Sequence, residues 1–116
     1  MGERPKTILG KILSDHVDGG LPDPGNRVTI DVDQVLLHDV LGPLIWMEFE
    51  TLEYDTITTD VALQHCDHQT LQIDGADTDT HRYLRTAAQH YGGHFSKPGN
   101  GICHQVALLN RQMATG

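Results

Sequence analysis

The amino-acid sequence predicts an α/β domain with three layers (α/β/α) and a mainly parallel sheet. Two observations lead to this prediction. Segments with the apolar spacing of amphipathic helices alternate with short β-rich segments along the chain. The 116 residues also suffice for one domain that buries a core without disulfide or metal.

The first third of the chain predicts a helix, a turn and a strand. Apolar residues at positions 8, 9, 12 and 13 have helical spacing, and Pro5 suits the first turn of that helix. Residues 22–26 combine Pro, Gly and Asn, which favour a turn. Residues 27–33 alternate Val or Ile with polar residues, which predicts a strand with its apolar side chains inward.

A helix and a second strand are predicted in the middle of the chain. The helix covers about residues 43–52. Its predicted buried face consists of Leu44, Ile45, Phe49 and Leu52. Residues 57–63 are β-rich and predict a strand that ends just before the sequence His65-Cys66-Asp67-His68. These polar residues therefore follow the carboxyl end of a strand, where α/β sheets collect their ligand sites.

The last third predicts a helix over residues 81–91, which the stretch Asp77–Asp79 caps and Gly92 ends. Its predicted inward side chains are Tyr83, Leu84, Ala87, Ala88 and Tyr91. The remaining predicted elements are a short strand over 94–96, a tight turn over 98–101 and an apolar segment over 102–109.

Composition argues against several classes of partner. The formal net charge is -8 and no stripe of Lys and Arg exists, so we expect no nucleic-acid partner. No apolar run approaches the ~20 residues of a membrane span. The two cysteines, Cys66 and Cys103, cannot form a disulfide framework, and no signal sequence is evident. These features predict a cytoplasmic protein with free thiols.

The segment His65–His68 carries the densest chemistry. Asp67 and His68 could form a carboxylate–imidazole pair, which raises the basicity of a histidine and fixes its tautomer for acid–base catalysis. The alternative is a polar turn in which Asp67 accepts hydrogen bonds from backbone amides. The pair His38-Asp39 offers the same choice, between a polar group presented to a cleft and a cap for the following helix. Spacing does not decide between these alternatives.

A zinc site is another interpretation of these residues. Its ligands would be drawn from His65, Cys66, His68, Cys103 and His104. Adjacent His65 and Cys66 lack the paired spacing typical of zinc ligands, and free cysteines are commonly small buried thiols. We therefore assign no metal ligand from the sequence.

Two segments carry a specific resemblance when they are taken together: Gln64–Gln69 (QHCDHQ) and Phe95–Val106 (FSKPGNGICHQV). They resemble the N-terminal part of the aconitase and 3-isopropylmalate dehydratase large-subunit family, over about residues 6–106. The stretch Tyr91–Val106 is closest to bacterial aconitate hydratase. His38 and the Asp-Val-Leu-Gly-Pro sequence after it favour the isopropylmalate and homoaconitate branches instead, so the substrate stays open.

The resemblance implies a part of the aconitase iron–sulfur domain. Members of the family are hydro-lyases that isomerise small tricarboxylic or dicarboxylic hydroxy acids by dehydration and rehydration at a [4Fe–4S] cluster. By this resemblance, Asp67 and His68 would protonate the departing hydroxyl and His104 would be a second active-site histidine. His38 would contact a substrate carboxylate.

The end of the chain departs from the family pattern. We therefore predict an aconitase-like portion over residues 1–106 and a divergent tail over residues 107–116. Cys66 and Cys103 match no cluster ligand, and a cluster requires three or four such ligands. We expect that no cluster binds this chain and that the isolated chain is inactive. A non-catalytic remnant that self-associates through an exposed apolar face is the alternative.

Overall fold

A computed structural model of the chain describes residues 7–21 and 23–109. The elements are α1 (Ile8–Ser14), β1 (Gln34–His38), α2 (Gly42–Thr51), β2 (Val61–His65), α3 (Gly75–Tyr91), β3 (His94–Ser96) and α4 (Cys103–Leu109). The chain divides into two compact units between Val32 and Asp33. Among the described residues, no helix has both the length and the apolar character needed to cross a bilayer.

The sheet contains three parallel strands in the order β1-β2-β3. His38, the last residue of β1, is paired in register with His65, the last residue of β2. His65 is paired in turn with Ser96, which ends β3. The three strands therefore end level with one another, and the residues that follow them share one edge. The predicted α/β class with a parallel sheet is confirmed, whereas the three-layer arrangement stays a prediction.

Helix α3 supplies much of the core and is longer than predicted. The side chain of Asp74 accepts a hydrogen bond of 3.1 Å from the backbone N–H of Asp77, so the helix begins at Gly75 rather than at residue 81. Leu84 is fully buried, with Ala87 and Ala88 beside it. Two residues predicted to be inward, Tyr83 and Tyr91, are only partly buried against that core.

The predicted buried face of α2 is wrong. Gly42 and Trp46 are its buried residues, and Phe49 is partly buried. Three of the four predicted inward residues are exposed: Leu44, Ile45 and Leu52. The side chain of Trp46 sets the rotation of the helix, since its indole Nε1–H donates a 2.9 Å hydrogen bond to Gln64 Oε1 inside the core.

The N-terminal unit confirms one prediction and corrects another. Helix α1 forms as expected, with Thr7 Oγ1 accepting a 3.0 Å hydrogen bond from the backbone N–H of Gly10. No strand forms over residues 27–33, and its alternating apolar side chains, Val28, Ile30 and Val32, are exposed. The backbone N–H of Asp31 instead donates to the carbonyl of His16 at 3.0 Å, which is not a strand pairing. Pro5 and Pro22, which the predicted helix start and turn used, lie outside the described residues.

The apolar segment after the turn over residues 98–101 folds as helix α4. The turn contains Gly99 and Gly101, both with positive φ. A Cβ atom at Gly101 would lie 2.6 Å from Val106 Cγ2, so the turn and α4 pack too closely for any larger residue there. The predicted boundary at residue 106 falls within α4 and stays a prediction.

Replacing Gly42 by alanine tests the close packing between α2 and the sheet. The added Cβ would lie 2.6 Å from Gln64 Oε1 and 2.9 Å from Leu84 Cδ2, and both of these side chains are buried. We expect Gly42→Ala to lower the free energy of unfolding by about 1–3 kcal/mol, measured by urea denaturation. Gly75→Ala is the matched control, because a Cβ there would have no atom of residues 7–21 or 23–109 within 4 Å, apart from its chain neighbours and the backbone of its own helix. Equal stability of the two variants would contradict this packing.

Candidate active site

Three imidazoles meet at the carboxyl edge of the sheet. His38 ends β1, His68 lies in the turn after β2 and His104 lies in the first turn of α4. The ring centroids of His38 and His68 are 4.6 Å apart, and that of His104 lies 6.4 Å from the first and 5.8 Å from the second. The fold therefore brings together all four site residues predicted from the sequence, since Asp67 directly precedes His68.

Asp67 and His68 form a hydrogen-bonded pair. Asp67 Oδ1 lies 2.9 Å from His68 Nδ1. A carboxylate only accepts hydrogen bonds, so this contact places a proton on Nδ1 and leaves Nε2 as the atom that gains or loses a proton. The side chain of Asp67 is 2% exposed and that of His68 is 37% exposed. The imidazole of the pair is therefore accessible to solvent, while the carboxylate that holds it is buried.

Asp67 also holds the start of α4. Its second oxygen, Oδ2, accepts a 2.8 Å hydrogen bond from the backbone N–H of Cys103. Burial pushes the pKa of Asp67 upward, but the hydrogen bonds from Cys103 and His68 outweigh burial and leave that pKa below its usual value. Asp67 therefore makes both contacts between which the sequence did not decide, one with an imidazole and one with a backbone amide, and its catalytic role stays a prediction.

Asp39 has a structural role that the sequence left undecided. Its side chain is buried and does not cap α2, at whose N-terminus no side chain of the described residues forms a cap. Instead, its two oxygens accept hydrogen bonds from the backbone N–H groups of His68 (3.1 Å) and Gln69 (2.7 Å). Asp39 Oδ1 also lies 3.5 Å from His68 Nδ1. One buried carboxylate thus fixes the turn that carries the Asp67–His68 pair.

His38 is oriented by its own backbone surroundings. The backbone N–H of Val40 donates a 3.2 Å hydrogen bond to His38 Nδ1. The neutral ring therefore carries its proton on Nε2, the nitrogen that remains for a ligand or a neighbouring group.

His65 and Cys66 are buried beneath this surface. Neither ring nitrogen of His65 has a hydrogen-bond partner among the described residues. Burial lowers the pKa of His65, and the negative charge of Asp67 opposes that effect in part. Burial, with the charges of Asp39 and Asp67, raises the pKa of the Cys66 thiol to about 12. Both residues are neutral core groups at pH 7.

The five residues considered for a zinc site do not form one group. Cys103 has donor atoms close to Asp67 and His68, whereas Cys66 is close to Asp39 and His81. Sequence reasoning missed His81, because it appeared only as one residue of a predicted helix. Its place on α3, one turn before the buried Leu84, was the available signal.

A pH-dependent stability is expected from His65. Its folded-state pKa lies below the ordinary value of 6.5, so its stabilising effect is complete above about pH 6.5 and is lost as pH falls towards the folded pKa. We expect His65→Phe to lose less stability than the wild type between about pH 7.5 and about pH 5.5. Urea midpoints at the two pH values measure the difference. The exposed His90, changed to Gln, is the control, and equal losses in His65→Phe and wild type would refute the effect.

Comparison with known proteins gives similarity to one class of enzyme. The chain is 29% identical over 125 residues to mitochondrial aconitate hydratase of Schizosaccharomyces pombe, covering 92% of this chain and 15% of that protein. Mitochondrial homocitrate dehydratase of Saccharomyces cerevisiae is 27% identical over 130 residues, which cover 91% of this chain and 16% of that protein. A probable mitochondrial aconitate hydratase of Caenorhabditis elegans is 29% identical over 122 residues, which cover 93% of this chain and 16% of that protein. No family model matches the chain.

The chain thus spans about 15–16% of the length of these relatives. The relatives are mitochondrial by name, which contradicts the prediction of a cytoplasmic protein. Cysteine content could not distinguish between these two compartments, because neither is among the oxidising environments in which structural disulfides form. The similarity covers nearly all of this chain, and it supports the aconitase family of hydro-lyases that the two sequence segments indicated.

Proposed function

We propose that this chain forms one wall of the active site of an aconitase-type hydro-lyase, within the three-layer iron–sulfur domain of that family. The observation that carries this proposal is the pairing of His68 Nδ1 with Asp67 Oδ1 at 2.9 Å, with the rings of His38 and His104 beside it. A carboxylate-held, accessible imidazole among other imidazoles suits proton transfer to an anionic substrate.

His68 is the proposed acid for the departing hydroxyl of the substrate. Asp67 holds Nδ1–H, so the proton that moves is the one on Nε2. Loss of water would begin as His68 gives this proton to the hydroxyl oxygen, and the C–O bond would break to release water. The proton on the neighbouring carbon would pass to a base on another wall of the active site, and rehydration would reverse both transfers. Asp67 Oδ1 and Asp39 Oδ1 lie 2.9 and 3.5 Å from Nδ1 and keep a proton on that nitrogen. After the transfer His68 would therefore be a neutral imidazole whose free Nε2 can take the proton back on rehydration.

His38 and His104 are the proposed contacts for the substrate. Their rings flank His68, and each can donate a hydrogen bond to a carboxylate when it carries a proton. A small hydroxy acid with two or three carboxylates suits such a group of imidazoles. Citrate or isocitrate is the proposed substrate, in line with the proposed kinship to bacterial aconitate hydratase. Homocitrate and 3-isopropylmalate are the competing substrates, and the histidine at position 38 favours them.

The residues of this chain do not fit an iron–sulfur cluster. A [4Fe–4S] cluster is held by cysteine thiolates, usually three or four, and the sequence contains two cysteines. Both are buried, and burial raises the pKa of Cys66 to about 12 and that of Cys103 to about 11, so each is a protonated thiol. A cluster would have to be held by residues outside this sequence. We therefore propose that the isolated chain binds substrate but does not turn it over.

Citrate binding to the isolated chain tests the proposal. We expect citrate to shift the NMR signals of the His38, His68 and His104 rings, and to leave those of His90 and His94 unchanged. His94 begins β3 and so lies at the opposite edge of the sheet. His68→Gln should weaken citrate binding by about tenfold or more, the equivalent of the roughly 1.5–3 kcal/mol of a hydrogen bond to a charged group.

The control is His90→Gln, because His90 lies on α3 and its side chain is exposed. Parallel titrations with homocitrate and 3-isopropylmalate rank the candidate substrates. The proposal fails if citrate and both analogues leave the three ring signals unchanged, or if all histidines respond alike.

A non-catalytic, self-associating protein is the second candidate function. The observation in its favour is a row of exposed apolar side chains at and just before α2: Val40, Leu41, Leu44, Ile45 and Met47. Light scattering at rising concentration should then reveal dimers that Leu44→Glu abolishes. Ile8→Glu, at an exposed position in the N-terminal unit, should leave them intact. A wild-type chain that stays monomeric at high concentration would exclude this candidate.

A further inference from the structure

A second cluster of polar side chains lies behind the imidazoles of the candidate active site. Asp39 follows β1, Cys66 follows β2 and His81 lies on α3. One donor atom from each residue, a carboxylate oxygen, Sγ and a ring nitrogen, lies within 4.8 Å of the other two. All three residues are buried, with His81 the most exposed at 7%. Three separate elements thus bring a carboxylate, a thiol and an imidazole to one buried point.

His81 has an unsatisfied ring nitrogen. Its Nε2 is buried and has no hydrogen-bond partner among the described residues, whereas its Nδ1 lies 2.8 Å from the side-chain amide of Gln72. A buried polar atom without a partner is costly, and native proteins rarely leave one in that state. The unpaired Nε2 therefore indicates a missing partner.

Gln72 can hold His81 in the tautomer that a metal requires. The amide nitrogen and oxygen of a glutamine are assigned from the surrounding hydrogen bonds. Turned about its last bond, the Gln72 amide would accept from His81 Nδ1–H through Oε1, and its nitrogen would donate to Thr78 Oγ1. Both contacts, at 2.8 and 3.0 Å, are kept in this orientation. Nε2 then has a free lone pair, which is how an outer partner orients a metal-binding histidine.

We propose that Asp39, Cys66 and His81 bind a zinc-type divalent cation. A thiolate, an imidazole and a carboxylate are the donors that Zn²⁺ takes in proteins, and water completes four-coordination. Zinc–ligand distances of about 2.0–2.3 Å place neighbouring ligand atoms about 3.3–3.8 Å apart, so atoms that lie within 4.8 Å of one another would approach by at most about 1.5 Å on binding. This proposal does not rest on the proposed hydro-lyase function, although Asp39 belongs to both sites.

The charges of the cluster suit a divalent cation. The carboxylate of Asp39 and the thiolate of Cys66 would together balance two positive charges, which leaves a buried site that is neutral overall. Without a metal, burial and the neighbouring Asp39 raise the pKa of Cys66, so the group is a thiol. Binding would break the S–H bond, form an S–metal bond and release one proton to solvent.

The other close groups of metal-binding side chains are less suitable. In the group of Asp67, His68 and Cys103, the described residues leave no buried side-chain nitrogen or oxygen without a hydrogen-bond partner. The group of His38, Asp39 and His68 belongs to the candidate active site already described. Of these three groups of described residues, the one that contains His81 has a buried ring nitrogen, Nε2, without a hydrogen-bond partner.

Cobalt titration of the metal-free chain tests the proposal, because Co²⁺ replaces zinc and absorbs light when a thiolate binds it. We expect a thiolate-to-cobalt charge-transfer band with one equivalent of Co²⁺, displaced by Zn²⁺. Cys66→Ser should abolish the band. His81→Gln should abolish tight binding of the single equivalent of Co²⁺. Gln72→Ala should keep the band but weaken binding by about 10–100-fold, as expected for an outer partner of a metal ligand.

Cys103→Ser is the matched control, since Cys103 is the second buried thiol and lies near carboxylates as Cys66 does. It should keep the band. Circular dichroism shows whether each variant is folded. If Cys66→Ser does not fold, the Co²⁺ titration of His81→Gln and the change of its melting temperature with Zn²⁺ test the proposal instead. Zn²⁺ should raise the melting temperature of wild type and Cys103→Ser but not that of His81→Gln. No charge-transfer band in the wild type, or a band lost in Cys103→Ser and kept in Cys66→Ser, would overturn the proposal.

Discussion

The carboxylate of Asp39 is the group on which the candidate site depends. It is buried at the end of β1 and accepts the backbone N–H groups of His68 and Gln69, which belong to the turn after the neighbouring strand. Burying an ion costs several kcal/mol, and hydrogen bonds to charged groups return roughly 1.5–3 kcal/mol each. Two such bonds make the buried charge tolerable only while the turn keeps this shape. The geometry of His68 is therefore tied to the pairing of β1 with β2.

Asp67 likewise links the turn after β2 to the segment that follows β3. One of its oxygens holds the ring of His68, and the other accepts the backbone N–H of Cys103 at the start of α4. Through Asp67, the position of the His68 ring is thus coupled to that of the helix that carries His104. The two carboxylates thus couple the ends of three strands, which is why side chains far apart in the chain share one surface. Asp39 also belongs to the proposed cation site, so a bound cation would reinforce the same turn.

Sequence patterns predicted more of the fold's class than of its packing. The alternation of helices and strands, the parallel sheet and the positions of α1 and β3 followed from local spacing and turn residues. The strand over residues 27–33 did not form, because alternation only favours a strand that has a neighbour to pair with. The buried face of α2 was wrong, since the hydrogen bond from Trp46 to Gln64 decides which side of the helix turns inward. Because Gln64 lies on β2, the sequence of the helix alone could not show that Trp46 would have a hydrogen-bond partner in the core.

For the site, the sequence by itself determined which residues are the candidates for catalysis and substrate binding, and which family they resemble. Asp67, His68, His104 and His38 stood out because short motifs keep their residue types and spacing visible in the chain. Only the tertiary structure decided what supports them: Asp39 as the buried acceptor beneath the turn, and His81 beside Cys66 and Asp39. The hydrogen bonds of Asp39 join residues 29 and 30 positions apart. They arise from strand register and helix packing, which local sequence patterns do not encode.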